Sequence, residues 1–356
     1  MNWYSGVVLM SRFMLPILLL AILCAQQVLP SENVEEDGSA PGKEDRVSAE
    51  HALERLATIV RNPERFQRIE LFNALSLPST LSDSQRERAA DLVLMVLKIP
   101  RNTFVRSKAV MMLGGLGVAP DGAVEVLEGL RSDRNPDVRY QSMTALANLT
   151  EQVEEYGKIL IDEIIADRSG TAEANSAYAM LGTAGPKLSP RDKQVERATG
   201  ALMFIWRGRD RLVPHVAKHL SIPSEAIRIR LLRVLRFWSP ESDVAWREVA
   251  TCLGDDSPVV RILAVQTLGR LTEKNGDVKV LLATYAKTHD HAAGKLAARF
   301  LAGEKEPGPS AEAKRRSLRA KIERLRRKLA TSSEPADGAL GEEVEKITKE
   351  LEKHKK

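Results

Sequence analysis

The chain has 356 residues, 43% of them hydrophobic, with two cysteines and a formal net charge of +5. Nine Lys or Arg against two Glu between Glu312 and Ala330 give that stretch a balance of +7, so the rest of the chain is close to neutral. Such a distribution argues against a surface that follows nucleic acid along the whole molecule, and two cysteines, one of them in an N-terminal apolar run, exclude a framework of internal disulfides.

Near the N-terminus, "MSRFMLPILLLAILCAQQ" places Arg12 before an apolar run from Phe13 to Cys24. The run is too short for a spanning helix, which needs roughly twenty residues, and matches a secretory signal. Residues 1–25 are therefore expected to direct export, to the periplasm, the medium or a secretory lumen, with cleavage near Ala25. Counting from Val7 gives the alternative of an uncleaved membrane anchor, though this traps Ser11 and Arg12 inside. Leu23 before Cys24 is too large for lipoprotein processing. The following polar, acidic residues 26–48 read as a disordered spacer.

A repeat begins beyond it. "DRNPDVRYQSMTALANL" (133–149) recurs as "DDSPVVRILAVQTLGRL" (255–271), with Asp six and Pro three residues before Arg in both. Taking that Arg as an anchor, weaker copies align on Arg68, Arg106, Ala174, Arg228 and Gly294. The intervals run 38, 33, 35, 54, 33 and 33 residues, a repeat period. Apolar steps of three and four put one face of each copy on a helix, and Pro is suited to its first turn. An amphipathic run precedes each anchor, so each unit is a helical hairpin that buries its faces only by stacking on neighbours.

These residues, Asp133, Pro136, Val138 and Arg139 with Asp255, Pro258, Val260 and Arg261, resemble HEAT repeats of the short kind found in phycobilisome lyase subunits. The resemblance covers roughly residues 49–303. It implies an all-α fold, an α-solenoid of about seven stacked hairpins with a C-terminal charged helical tail. It also implies that Asp133, Arg139, Asp255 and Arg261 form a structural ladder between units rather than a binding site. A lyase-type role would follow from the same resemblance, but an export signal argues against it, and fold does not carry chemistry.

The 54-residue interval exceeds one period by about twenty residues. "KQVERATGALMFIWRGRD" suggests an insert near residues 186–208, either a further repeat or a helix on one face. In the next unit His215 and His219 have the i,i+4 spacing of two metal ligands, without an acidic third in that helix. His289 to His291 read as turn chemistry. "RIRLLRVLRFW" lines up Arg230, Arg233 and Arg236 at helical steps and is the candidate partner-binding stripe. Cys252 falls on an apolar face and reads as core. The sequon at Asn148 ends a packed helix, where glycosylation is not expected.

After Gly303, Pro307 and Pro309 mark a linker over 304–311, and residues 312–356 form a basic and then acidic helical tail. Leu318, Ile322, Leu325 and Leu329 step as a two-heptad stripe; Val344, Ile347 and Leu351 form a second that could fold back on it. Arg324, Arg326 and Arg327 are candidate contacts for an anionic membrane surface or an acidic protein, and the stripe could also support self-association. No GxSxG, Walker loop, HExxH or CxxC occurs. The sequence therefore points to an exported, non-enzymatic protein-binding scaffold needing no cofactor. Nucleic-acid or anionic-surface binding is the alternative class, and a lyase-type or metal-dependent enzyme subunit a more distant one.

Overall fold

The computed structural model describes residues 43–304, except 67, 78–79, 100–102, 169, 239–244 and 272–274, together with positions 318–319, 322–323, 325, 344–345 and 347–349. The signal segment, residues 26–42 of the expected spacer, residues 305–311, and Arg324, Arg326, Arg327, Leu329 and Leu351 lie outside the described residues. No described helix is long and apolar enough to cross a membrane.

The first helix, α1 (Lys43–Arg61), begins six residues before the expected end of the spacer, so 43–48 are helical. It is followed by α2 (Arg68–Ala74), α3 (Asp83–Lys98), α4 (Thr103–Leu116), α5 (Ala123–Leu130), α6 (Pro136–Leu149), α7 (Val153–Ile165) and α8 (Asn175–Met180). Then come α9 (Pro190–Met203), α10 (Arg209–Ala217), α11 (Glu225–Trp238), α12 (Trp246–Thr251), α13 (Pro258–Gly269), α14 (Gly276–Thr288) and α15 (Ala292–Leu301). Short 3-10 turns extend α10 and α12, and no strand occurs among the described residues.

The helices pair as seven hairpins, α1/α2, α3/α4, α5/α6, α7/α9, α10/α11, α12/α13 and α14/α15. Their second members α4, α6, α9, α11, α13 and α15 pack each on the next as one row, while the first members lie alongside as a second. The molecule is an α-solenoid. Its apolar interior runs unbroken from Ala49 to Ala297, which is the continuous core that stacked hairpins need.

The first-row helices begin alike because their caps are alike. Asn135 accepts from Asp137 N–H ahead of Pro136, and Ser257 from Val260 N–H ahead of Pro258. Ser189 accepts from Asp192 N–H ahead of Pro190. Each side-chain oxygen satisfies an orphan helix N–H, and each proline stands where no donor is missed.

The third of these caps corrects the register of the fourth unit. Ala174 was expected to anchor it and residues 186–208 to be the insert. Instead α9 fills the slot between α6 and α11: Thr144 Oγ1 donates to Ala201 O at 2.8 Å, and Trp238 Nε1 to Met203 O at 3.2 Å. The inserted segment is 166–189, carrying α8.

Within the first row, α4 and α6 approach closely at small side chains. A Cβ on Gly114 of α4 would lie 2.7 Å from Ala145 Cα of α6. Gly114→Val should therefore force these helices apart and destabilise the stack by about 1–3 kcal/mol, overpacking outweighing the gain in helix propensity. A urea midpoint unchanged from wild type would contradict this packing.

The ladder exists with a different pairing from the expected one. Asp133 is bridged by Arg106 of the preceding unit at 3.1 Å, and Asp255 by Arg228 at 2.6 Å, 27 residues apart in both cases. Arg139 and Arg261 instead hold their own loops: Arg139 Nη1 donates to the carbonyls of Asp133 and Arg134, Arg261 Nη1 to those of Asp255 and Asp256. Arg228 does both, donating also to Ile222 O and Pro223 O. In the tail, Ile322, Leu325 and Ile347 are buried together with Leu318 and Val344 packed on them, so these members of the two stripes cover each other.

Candidate functional site

Three arginines at steps of three fall along α11, and each meets a different layer of the protein. Arg230 is fully buried. Its Nε pairs with Glu196 Oε1 at 3.1 Å, Nη1 with Asp167 Oδ2 at 3.3 Å and Nη2 with Asp192 Oδ1 at 3.1 Å. Nη2 also donates to Thr171 O. Arg233 pairs with the other oxygen of Glu196. Three buried carboxylates thus surround the Arg230 guanidinium, with the partly exposed Arg233 at the edge, and the fork of Arg230 is filled on every side, as a buried guanidinium requires. Arg230, expected in the partner-binding stripe, is a structural residue that no outside partner reaches.

This cluster closes the neck of the insert. Asp192, the third residue of α9, accepts from Ser189 Oγ at 2.6 Å and Ser189 N–H at 3.0 Å, and through its other oxygen from Thr171 N–H. The two ends of the segment are thereby tied to one carboxylate, giving a compact loop with adjacent ends. Gly170 allows it: a Cβ there would lie 2.1 Å from Asp167 Oδ2 and 2.7 Å from Asp192 Oδ1.

Burial alone would push the Asp192 carboxyl up, but the hydrogen bonds from Ser189 and Thr171 outweigh it and bring it down to about 2. A folded-state value below the unfolded one means that Asp192 contributes stability which is complete above about pH 4 and is lost as pH falls toward 2. The contribution is about 2 kcal/mol. Urea midpoints should fall across that window in the wild type, and Asp192→Asn should flatten this part of the fall.

From the neck the loop crosses the first row. Ala172, Ala174 and Ala177 are buried against it, and α8 reaches α13, two units beyond the neck. Arg236 Nη1 donates to Gln266 Oε1 of α13 at 2.8 Å and lies 3.4 Å from Ser176 Oγ of α8. The Gln266 Nε2 lies 3.8 Å from Met180 Sδ. With α11 and α15 on its two sides, the second row behind and α8 in front, α13 is buried from Val259 to Gly269 except at Arg261.

The other sequence candidates are dispersed. His215 Nε2 lies 3.7 Å from Glu154 Oε2, and burial, with Lys218 and His215 nearby, lowers the pKa of His219. Among the described residues no three His, Cys, Asp or Glu side chains are grouped to hold a metal. His291 caps α15 through Nδ1, and His289 stacks on Tyr285 at 4.3 Å, which is turn chemistry. Burial, with Asp255 beside it, pushes the Cys252 thiol up to about 11, as suits a core residue. Asn148 is buried, its amide oxygen accepting from Trp206 N–H at 3.0 Å and its nitrogen donating to Phe204 O at 3.1 Å. The folded chain leaves that sequon no accessible amide.

Sequence reasoning passed over Asp167, Asp192, Glu196 and Gln266. The cue was in "SPRDKQ", whose capping residue followed by Pro matches Asn135-Pro136 of α6 and Ser257-Pro258 of α13 and would have set Asp192 and Glu196 on a first-row helix facing Arg230.

No family model and no curated protein matches the chain. Among solved structures, it is similar to an engineered protein at 18% identity, covering 65% of this chain and 94% of that one, with a TM-score of 0.28. Human deoxyhypusine hydroxylase in complex with glycerol aligns at 16% identity over 74% of this chain and 100% of that one, with a TM-score of 0.27. A second engineered protein aligns at 16% identity over 88% and 97%, with a TM-score of 0.26.

Proposed function

We propose that the chain is an exported protein-binding scaffold of the HEAT-like kind, recognising its partner with the solenoid surface rather than with a catalytic centre. The observation that carries this reading is the seat of α8. A short helix lies across the flank of the first row between Arg236 and Gln266, so that flank accommodates a peptide segment of the kind a protein partner offers. The arginines of α11 are engaged with Glu196, Asp167, Asp192 and Gln266 rather than set in line for phosphates, which weighs against the nucleic-acid alternative. The basic tail, with Arg324, Arg326 and Arg327, adds salt-sensitive docking to an acidic protein or anionic membrane.

The test is a pull-down of the exported form at two salt concentrations, with the full chain and with a chain ending at Gly303, bound proteins being identified by mass spectrometry. The scaffold reading expects a discrete partner retained by both, and a steeper salt dependence for the full chain. Retention of nothing by either would overturn it, and mapping of the mature N-terminus outside residues 24–30 would overturn the export reading.

A further inference from the structure

We propose that the flank of α11 and α13 is a groove for a short partner helix bearing small side chains on one face and an acidic side chain opposite Gln266, and that residues 170–188 fill this groove in cis. The inference rests on the scaffold reading and names the surface and the partner it fits.

The insert is fastened very differently at its two ends. Its neck is bound by charged hydrogen bonds from Arg230 and to Asp192. Its tip, a helix of six residues between Gly170 and Gly182, the latter at φ +70°, is seated by the buried Ala172, Ala174 and Ala177, by the half-buried Tyr178, Met180 and Leu181, and by long polar contacts from Glu173 N–H to Glu196 at 3.4 Å, from Arg236 to Ser176 at 3.4 Å and from Gln266 to Met180 at 3.8 Å. A segment whose polar contacts are long opens before one clamped by buried charged hydrogen bonds.

Gln266 supplies the second, independent observation. It is 0% exposed, its oxygen is satisfied by Arg236 at 2.8 Å, and among the described residues the acceptor offered to its Nε2 is the Met180 sulfur at 3.8 Å. A thioether is a weak acceptor, and a buried amide donor without a good one is costly. Turning the amide over would set its donor against the Arg236 guanidinium, so the orientation is fixed. The groove therefore holds a buried donor aimed at the one position where the insert brings sulfur. A glutamate at that place on another helix has the reach of methionine and presents a carboxylate oxygen to Nε2, next to the positive charge of Arg236. A partner with that residue replaces the chain's own segment, which is held well enough to keep α13 covered until then.

Two measurements decide it. In the wild-type full chain, native-state hydrogen exchange should find the amides of 175–181 exchanging through a local opening insensitive to low denaturant, while those of α13 exchange only with larger unfolding. In a full chain with residues 172–187 replaced by a Gly/Ser linker, a synthetic peptide of 170–188 carrying Met180→Glu should bind about tenfold more tightly than the native-sequence peptide, a charged hydrogen bond replacing the sulfur contact. Gln266→Leu should remove the difference. A folded linker variant that binds neither peptide, or binds both equally, overturns the groove assignment. If the linker variant does not fold, exchange of 175–181 only through global unfolding overturns it instead, and local opening supports it. Failure of the scaffold reading looks different: the full chain then retains no partner in the pull-down, whereas failure of the groove alone leaves partner capture unaffected by the linker replacement.

Discussion

Arg230→Met should destabilise the folded chain by about 3–5 kcal/mol, because it leaves three buried carboxylates with one remaining guanidinium. Asp167 and Asp192 lose their guanidinium partner, Thr171 loses a donor at its carbonyl, and Glu196 keeps Arg233 and a long contact from Glu173 N–H. For a repeat domain of this size that corresponds to a fall in Tm of about 10 °C. Arg230→Lys should fall between, since a single ammonium keeps the charge but cannot serve acceptors spread around a planar fork. Thermal melts of the three proteins at neutral pH check this, and an Arg230→Met variant as stable as wild type would show that the cluster does not hold the neck.

Asp255→Ala should cost about 2–4 kcal/mol, the second largest effect. Asp255 Oδ2 lies 2.6 Å from Arg228 Nε as an ion pair, and its Oδ1 accepts from Arg228 Nη2 at 3.1 Å and from Ser257 N–H at 2.9 Å. One substitution therefore breaks a rung between two units and loosens the start of α13. Asp133→Ala should cost less, because the Arg106 side chain is 32% exposed and can turn to water whereas that of Arg228 is 14% exposed. Arg139→Ala, which removes bonds within one loop only, should cost about 1 kcal/mol. Urea midpoints in the order Asp255→Ala below Asp133→Ala below Arg139→Ala are expected; the reverse order would place the rungs elsewhere.

The readable part of this fold was the part that repeats. Apolar steps of three and four, Pro at the first helical position and the Asp-to-Arg spacing are local features dictated by helix geometry and capping, and they located α4, α6, α11, α13 and α15. The partner of each rung was not readable, because Asp133 and Arg139 are six residues apart in sequence while Asp133 and Arg106 meet only through stacking. The fourth unit misled for a similar reason. Ala174, Ala177 and Leu181 have the spacing of a buried helical face, and they do pack inward, Ala177 with no exposure; spacing alone cannot say that they pack on the flank of α13 rather than within the row. Arg230 belongs to the same class: its helical step beside Arg233 and Arg236 suggests an exposed stripe, and only the carboxylates brought back by residues 167, 192 and 196 bury it.

The central claim is that residues 166–189 leave the fourth unit, cross the first row and seat α8 on α13. A nuclear Overhauser measurement on folded protein with labelled methionine methyls and side-chain amides tests it directly, since Met180 Sδ and Gln266 Nε2 lie 3.8 Å apart across 86 residues of chain. A cross-peak between the Met180 methyl, assigned with Met180→Leu, and the Gln266 side-chain amide is expected in the folded chain and should vanish in urea. Its absence while both signals are observed would contradict the crossing and with it the groove.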